Sequence, residues 1–265
     1  MKPRPFNLFK SVVFTLCIAH SLSACSQSPP DYSGTTSVRM YRNSDTDIIT
    51  LKIPKGYLDH FVLAGPPVPG AREETAEVFH QMFFTAEAGT LKPRSAETNQ
   101  AFVYPNSLTE EFSFNISIWN KRSEQERSGY LQNNYKFSTD MYFFSCKKQP
   151  EPKPRFGLEW YAQDLSNCPK QNVGFPDDLL IDRDTNGDVK TLLLCTSDNV
   201  PDWADQIKSG QTFSSNPKCK HLYYFKELNA SVSLFYSRFY VKDWRLLEQR
   251  INALLLSFVQ TPSNP

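Results

Sequence analysis

Glycine is scarce in this chain, with 10 in 265 residues. No glycine-rich loop of the kind that cradles phosphates is present. Excess charge of one sign is missing as well: 29 Lys and Arg stand against 28 Asp and Glu. A nucleic-acid binder needs clustered positive charge, so that class is excluded. No apolar run approaches the ~20 residues that a membrane-spanning helix requires. Histidine occurs four times. Cys-x-x-Cys, His-Glu-x-x-His and Gly-x-Ser-x-Gly are all absent, which removes the local signatures of zinc sites, metalloproteases and the α/β-hydrolase nucleophile elbow. No catalytic residue, metal ligand or cofactor is assigned, and the chain is read as a non-enzyme.

The N-terminus does carry a pattern. Lys2, Arg4 and Lys10 precede a short apolar stretch from Val12 to Ala19. A basic start, a short apolar centre and a small-residue boundary describe a secretory signal peptide over residues 1–24. The boundary reads Leu22-Ser23-Ala24-Cys25 and resembles the bacterial lipobox. That resemblance implies cleavage before Cys25 and lipidation of its thiol, with stable membrane anchoring through more than one acyl chain. Ser26 then implies transport to the outer membrane, with the protein facing the periplasm. Residues 25–37 are polar and rich in Ser, Pro and Thr, a composition that tethers and does not fold. Removing the three basic residues of the leader leaves 26 basic against 28 acidic residues.

Beyond Cys25, four cysteines remain: Cys146, Cys168, Cys195 and Cys219. An even number in an exported chain points to disulfides, and four cysteines allow three pairings. Sequential pairing, Cys146–Cys168 and Cys195–Cys219, closes two short separate loops and is preferred, at on the order of 3 kcal/mol each.

Hydrophobic alternation places strands at 47–58, 111–120, 135–146 and 156–165, and more ambiguously at 75–86. Residues 92–110 read as irregular. Two apolar runs flank Asn186-Gly187, and two more flank a turn near Asn229; both pairs read as hairpins. The segment Asp182 to Asp188 resembles the start of a calcium-binding loop, but the twelfth position, where a bidentate acid belongs, is Leu193. The hairpin reading is therefore preferred. Trp244, Leu247, Ile251, Leu254, Leu255 and Phe258 recur at helical spacing, which predicts a terminal amphipathic helix over 243–259 with Asp243 as its cap. The expected fold class is α+β, mainly antiparallel β-sheet with a C-terminal amphipathic helix. Its organisation is a β-rich part over 38–146 and an α+β part over 147–265, meeting at the proline-broken loop 147–155.

His60, His80 and His221 follow the leader. A histidine beside aromatics, as His80 is, more often packs than catalyses. The paired acids Glu73-Glu74, Glu110-Glu111 and Asp177-Asp178 point to opposite sides of an extended chain and read as solvated charges.

The lipobox at Cys25, "ITLKIPKGYL", "FGLEWY", "LLLC…CKHLYYF" and the ending "SRFYVKDWRLLEQRINALLLSF" together resemble a group of bacterial envelope lipoproteins. These are the periplasm-facing immunity lipoproteins that accompany type VI secretion effectors, phospholipase effectors above all. The resemblance implies a protein that binds and neutralises a toxic effector, a lipase or phospholipase. The alternative is an envelope assembly or maintenance lipoprotein that holds a partner protein or cell-wall component. Rigid loops lower the ordering cost of binding, so Pro66, Pro67, Pro69, Pro150, Pro152 and Pro154 are the candidate contact residues.

Overall fold

The structure, a computed structural model, describes residues 32–42, 47–57, 78–79, 81–87, 90–93, 95, 111–118, 124–140, 147–164, 177–198, 200 and 217–260. Strands β1 (Thr35–Tyr41) and β2 (Ile48–Pro54) pair antiparallel, and β3 (Val78–Phe79) adds to β1 in parallel. After Pro54 the chain turns into a short 3-10 helix, Lys55–Tyr57. The remaining strands are β4 (Gln81–Glu87), β5 (Glu111–Ile118), β6 (Lys148–Pro150), β7 (Glu159–Gln163), β8 (Asp177–Arg183), β9 (Val189–Thr196), β10 (Lys218–Phe225) and β11 (Ala230–Ser237). They form one eight-stranded sheet in the order β4-β5-β11-β10-β9-β8-β7-β6. Every neighbouring pair in it is antiparallel. Strands from both sides of the 147–155 loop thus share a sheet, with β5 next to β11.

The sheet is covered on both faces at β8, β9 and β10, which is why those strands read as nearly continuous apolar runs. On one face the terminal helix α2 (Trp244–Phe258) buries Trp244, Leu247, Ile251, Leu255 and Phe258 against Leu180, Leu193, Tyr223, Val232 and Leu234, together with Leu51 and Ile53 of β2. At ~2 kcal/mol for each buried side chain, this face contributes on the order of 10 kcal/mol before ordering costs. The end of α2 is fixed by β2: Gln260 N–H donates to Thr50 O at 2.9 Å, and Val259 bridges Leu51. Asp243 occupies the expected cap position, but its side chain makes no capping bond. A 3-10 helix, Arg238–Asp243, runs straight into α2, and Trp244 N–H already bonds Val241 O.

The other face is covered by helix α1 (Glu124–Asp140), whose Leu131 packs with Leu179, Ile181, Val189, Leu192 and Leu222, joined by Tyr130 and Tyr135. This corrects the strand expected at 135–146, because residues 135–140 are helical. Tyr135 and Phe137 imitate strand alternation, but Leu131 and Tyr135 lie one helical turn apart, on the side facing the sheet.

Both C-terminal hairpins form. The β8–β9 turn has only Gly187 at positive φ (+86°), with Gly187 N–H donating to Asp184 O at 3.0 Å. That is a three-residue loop with glycine at its left-handed position. Asp184 Oδ1 accepts from the N–H groups of Asn186 (2.8 Å) and Asp188 (3.0 Å). In the β10–β11 turn Asn229 is left-handed, accepts from Tyr224 O–H, and donates through Nδ2 to Arg42 O at 2.6 Å. One side chain therefore ties the larger sheet to the end of β1.

Candidate functional site

Cys195 and Cys219 sit directly opposite each other on β9 and β10 and are joined by a disulfide closing 24 residues of chain. Both are buried. Beside them the buried Arg238 guanidinium donates to the carbonyls of Thr196 (2.8 Å), Ser197 and Val200 (2.8 Å), which fixes the end of β9. Cys25, Cys146, Cys168, Pro66, Pro67 and Pro69 lie outside the described residues, as do His60 and His80.

Pro150, Pro152 and Pro154 are exposed along the connection between β6 and β7. The connection ends in a tight turn in which Arg155 and Leu158 exchange two backbone hydrogen bonds of 2.9 Å. Both central residues have positive φ, Phe156 at +54° and Gly157 at +75°. Phenylalanine rarely adopts that conformation. The helix holds it there: Trp244 Nε1–H donates to Phe156 O at 3.1 Å. Arg155 stacks on the Phe156 and Trp160 rings and pairs with Asp198. The proline segment is thus fastened to α2 at its base.

A second polar cluster lies around β6 and the start of β8. Lys148, largely buried, donates from Nζ to Ser138 O near the C-terminus of α1, at 3.2 Å. Burial lowers its pKa, and the neighbouring Asp177 and Asp178 act in the opposite direction. Burial likewise pushes the Asp177 and Asp178 carboxyls above the ordinary range. Asp178 accepts from Trp160 Nε1–H and Gln163 N–H, each at 3.3 Å. These adjacent acids, expected to be solvated, are half-buried and buried, because β8 is covered on both faces.

The most elaborate polar arrangement joins β9, β10, β11 and α2. His221 is fully buried between the rings of Tyr223, Tyr236 and Trp244. Its Nδ1 is 3.1 Å from Tyr236 Oη, and its Nε2 is 2.9 Å from Glu248 Oε1. The same carboxylate oxygen accepts from Thr191 Oγ1 at 2.8 Å. A carboxylate can only accept, so Nε2 carries a proton in this arrangement. Tyr223 O–H donates to Asn252 Oδ1 at 3.0 Å. Burial first, then the nearby Glu248 charge, raise the pKa of both Tyr223 and Tyr236, so both phenols stay protonated.

This network floors a cleft of about 310 Å³ between the first half of α2 and the ends of β8, β9 and β10. Aromatic walls come from Tyr223, Phe225 and Trp244, and Glu248 and Asn252 line it from α2. At the rim Arg245 lies over the Trp244 ring and 3.7 Å from Asp182. His221 is the sole histidine among the described residues, and its complete enclosure denies a substrate access to either ring nitrogen.

Sequence reasoning found the Cys195–Cys219 disulfide; its packing reading of a histidine beside aromatics concerned His80, which lies outside the described residues. It missed the surroundings of His221, namely Glu248, Asn252 and Thr191. The available signal was the polar row Arg245, Glu248 and Asn252, spaced three and four along a helix beside its apolar stripe.

No family model matches the chain, and no curated protein matches it. Among solved structures it is similar to an immunity protein of the Stenotrophomonas maltophilia type IV secretion system. The two share 17% identity and superpose with a TM-score of 0.55, over 86% of this chain and 94% of the other. The chain therefore has the fold of that immunity protein over most of its length.

Proposed function

We propose that this protein is a membrane-anchored immunity lipoprotein of the bacterial periplasm. It binds a toxic secreted effector and neutralises it, and so protects the cell that makes it. The observation that carries this reading is the fold shared with a secretion-system immunity protein over 86% of the chain. The residues add support. A lipobox-like Cys25 supports a lipid anchor, and Ser26 after it supports transport to the outer membrane, facing the compartment where an incoming toxin acts. A cross-strand disulfide suits that oxidising compartment. An inhibitor of this kind acts by occupying a surface and needs no turnover of its own, which agrees with the enclosure of His221.

The effector proposed from the sequence resemblance is a lipase or phospholipase delivered by a type VI system. The structural relative serves a type IV system, so the neutralising role has broader support than the delivery route. The exposed prolines Pro150, Pro152 and Pro154, with Pro66, Pro67 and Pro69, remain candidate contact residues.

The test is co-expression. A secreted toxin encoded beside this gene, directed to the periplasm of a naive host, should stop growth, and this chain should restore it. Failure to restore growth against every neighbouring toxin gene contradicts the reading.

A further inference from the structure

We infer that the cleft under α2 receives one cationic side chain, a lysine or arginine, from the protein that this chain binds; the inference rests on the effector-binding reading above. The decisive group is Glu248. Its side chain is 16% exposed, and its Oε1 is taken twice, by His221 and by Thr191. Oε2 has no hydrogen-bond partner among the described residues and is not enclosed, because Glu248 lines the cleft. A carboxylate oxygen with restricted access to water gains most from a charged donor.

The surroundings fit the stem of such a side chain. Tyr223, Phe225 and Trp244 border the cleft but are almost wholly buried, and Trp244 already carries the Arg245 guanidinium over its ring, so they bound the stem of an entering side chain and leave its charge to Glu248. Asn252 Oδ1 accepts from Tyr223 and retains a second lone pair. A volume of about 310 Å³ lies at the small end of ligand cavities. It suits one long side chain better than a folded lipid or a cofactor. An anion would meet the Glu248 carboxylate, and a bare alkyl chain would strip water from it without replacement. Around the rim Asp182 and Glu227 stand against Lys190, Lys226 and Arg245, and the Glu248 carboxylate balances the remaining positive charge, so selectivity for a cation resides at the floor. Arginine is among the residues that most often dominate protein interfaces.

The test uses the full-length chain in detergent, with nitrogen-15 in its indoles. Four tryptophans give four indole signals, and single Phe replacements of Trp119, Trp160 and Trp203 identify that of Trp244. The probe is n-butylguanidinium, and n-butylurea is its neutral counterpart. The Trp244 signal should shift saturably with the guanidinium and stay still with the urea. E248Q keeps an acceptor for His221 and Thr191 and should weaken binding about tenfold. Equal response to both probes, or unchanged binding in E248Q, overturns the inference. Should E248Q fail to give the folded indole pattern, salt decides on the unmutated chain: 1 M NaCl should weaken binding, and indifference to it overturns the inference. Loss of the guanidinium response while the chain still rescues cells from a toxin removes the cleft assignment alone.

Discussion

His221 Nε2 lies 2.9 Å from Glu248 Oε1, and this contact joins the middle of β10 to the second turn of α2. The histidine is fully buried, and its other nitrogen faces Tyr236. Replacing it with alanine opens a cavity and leaves the buried Tyr236 hydroxyl without this partner. H221A should lose about 3 kcal/mol of stability, measured by urea unfolding. E248Q retains the acceptor and should lose less than about 1 kcal/mol. A loss below about 1 kcal/mol in H221A would mean that the fold does not depend on this contact.

The Cys195–Cys219 bond closes a loop of 24 residues. Removing it as the double serine variant should cost about 3 kcal/mol on chain-entropy grounds. Reductant should lower the thermal midpoint of the wild-type chain and leave that of the variant where it is. A wild-type midpoint indifferent to full reduction would rule out a stabilising role for this bond.

Gly187 has φ +86°, and a Cβ placed there would meet nothing within 4 Å. G187A therefore tests backbone strain without a clash. The expected loss is about 1 kcal/mol. G129A, in α1 with equally open space, should move the other way, since alanine favours the helix by about 1 kcal/mol. The pair of signs can be read from two thermal melts.

Asp177 titrates above the ordinary carboxylate range because burial penalises its charge, an effect that Lys148 only partly relieves. The folded state thus holds this proton more tightly than the unfolded chain. Its contribution to stability is present below the ordinary carboxylate pKa and is lost as pH rises through the raised value. D177N stays neutral throughout. Its stability relative to wild type should improve between pH 4 and pH 7, as followed by urea unfolding. A constant difference over that range would contradict the assignment.

Cys25→Ser should abolish incorporation of labelled palmitate and release the protein from the membrane fraction. Persistent labelling would mean that the junction has been misread, and the envelope-bound part of the proposal would fall with it.

Legibility in the sequence followed the strength of each local pattern. The terminal helix stood out because five buried residues repeat at helical spacing in a segment free of glycine and proline. The β8–β9 and β10–β11 hairpins stood out because turn residues interrupt long apolar runs. Helix α1 did not, since Leu131 is the one buried side chain among those described in it and Tyr135 and Phe137 alternate as in a strand. The pairing of β5 with β11 joins residues more than a hundred positions apart, which no local pattern encodes. The same holds for the cleft. Glu248, Thr191 and Asn252 are ordinary polar residues in sequence and acquire their role through the crossing of α2 over β9 and β10.

The neutralising role is tested most directly by sister-cell killing. The gene is deleted from a strain whose secretion system is active, and the deletant is grown in contact with its parent. The deletant should be killed by the parent and rescued by a plasmid copy of the gene. Survival of the deletant at the parent's level, with the toxin demonstrably delivered, would contradict the immunity function.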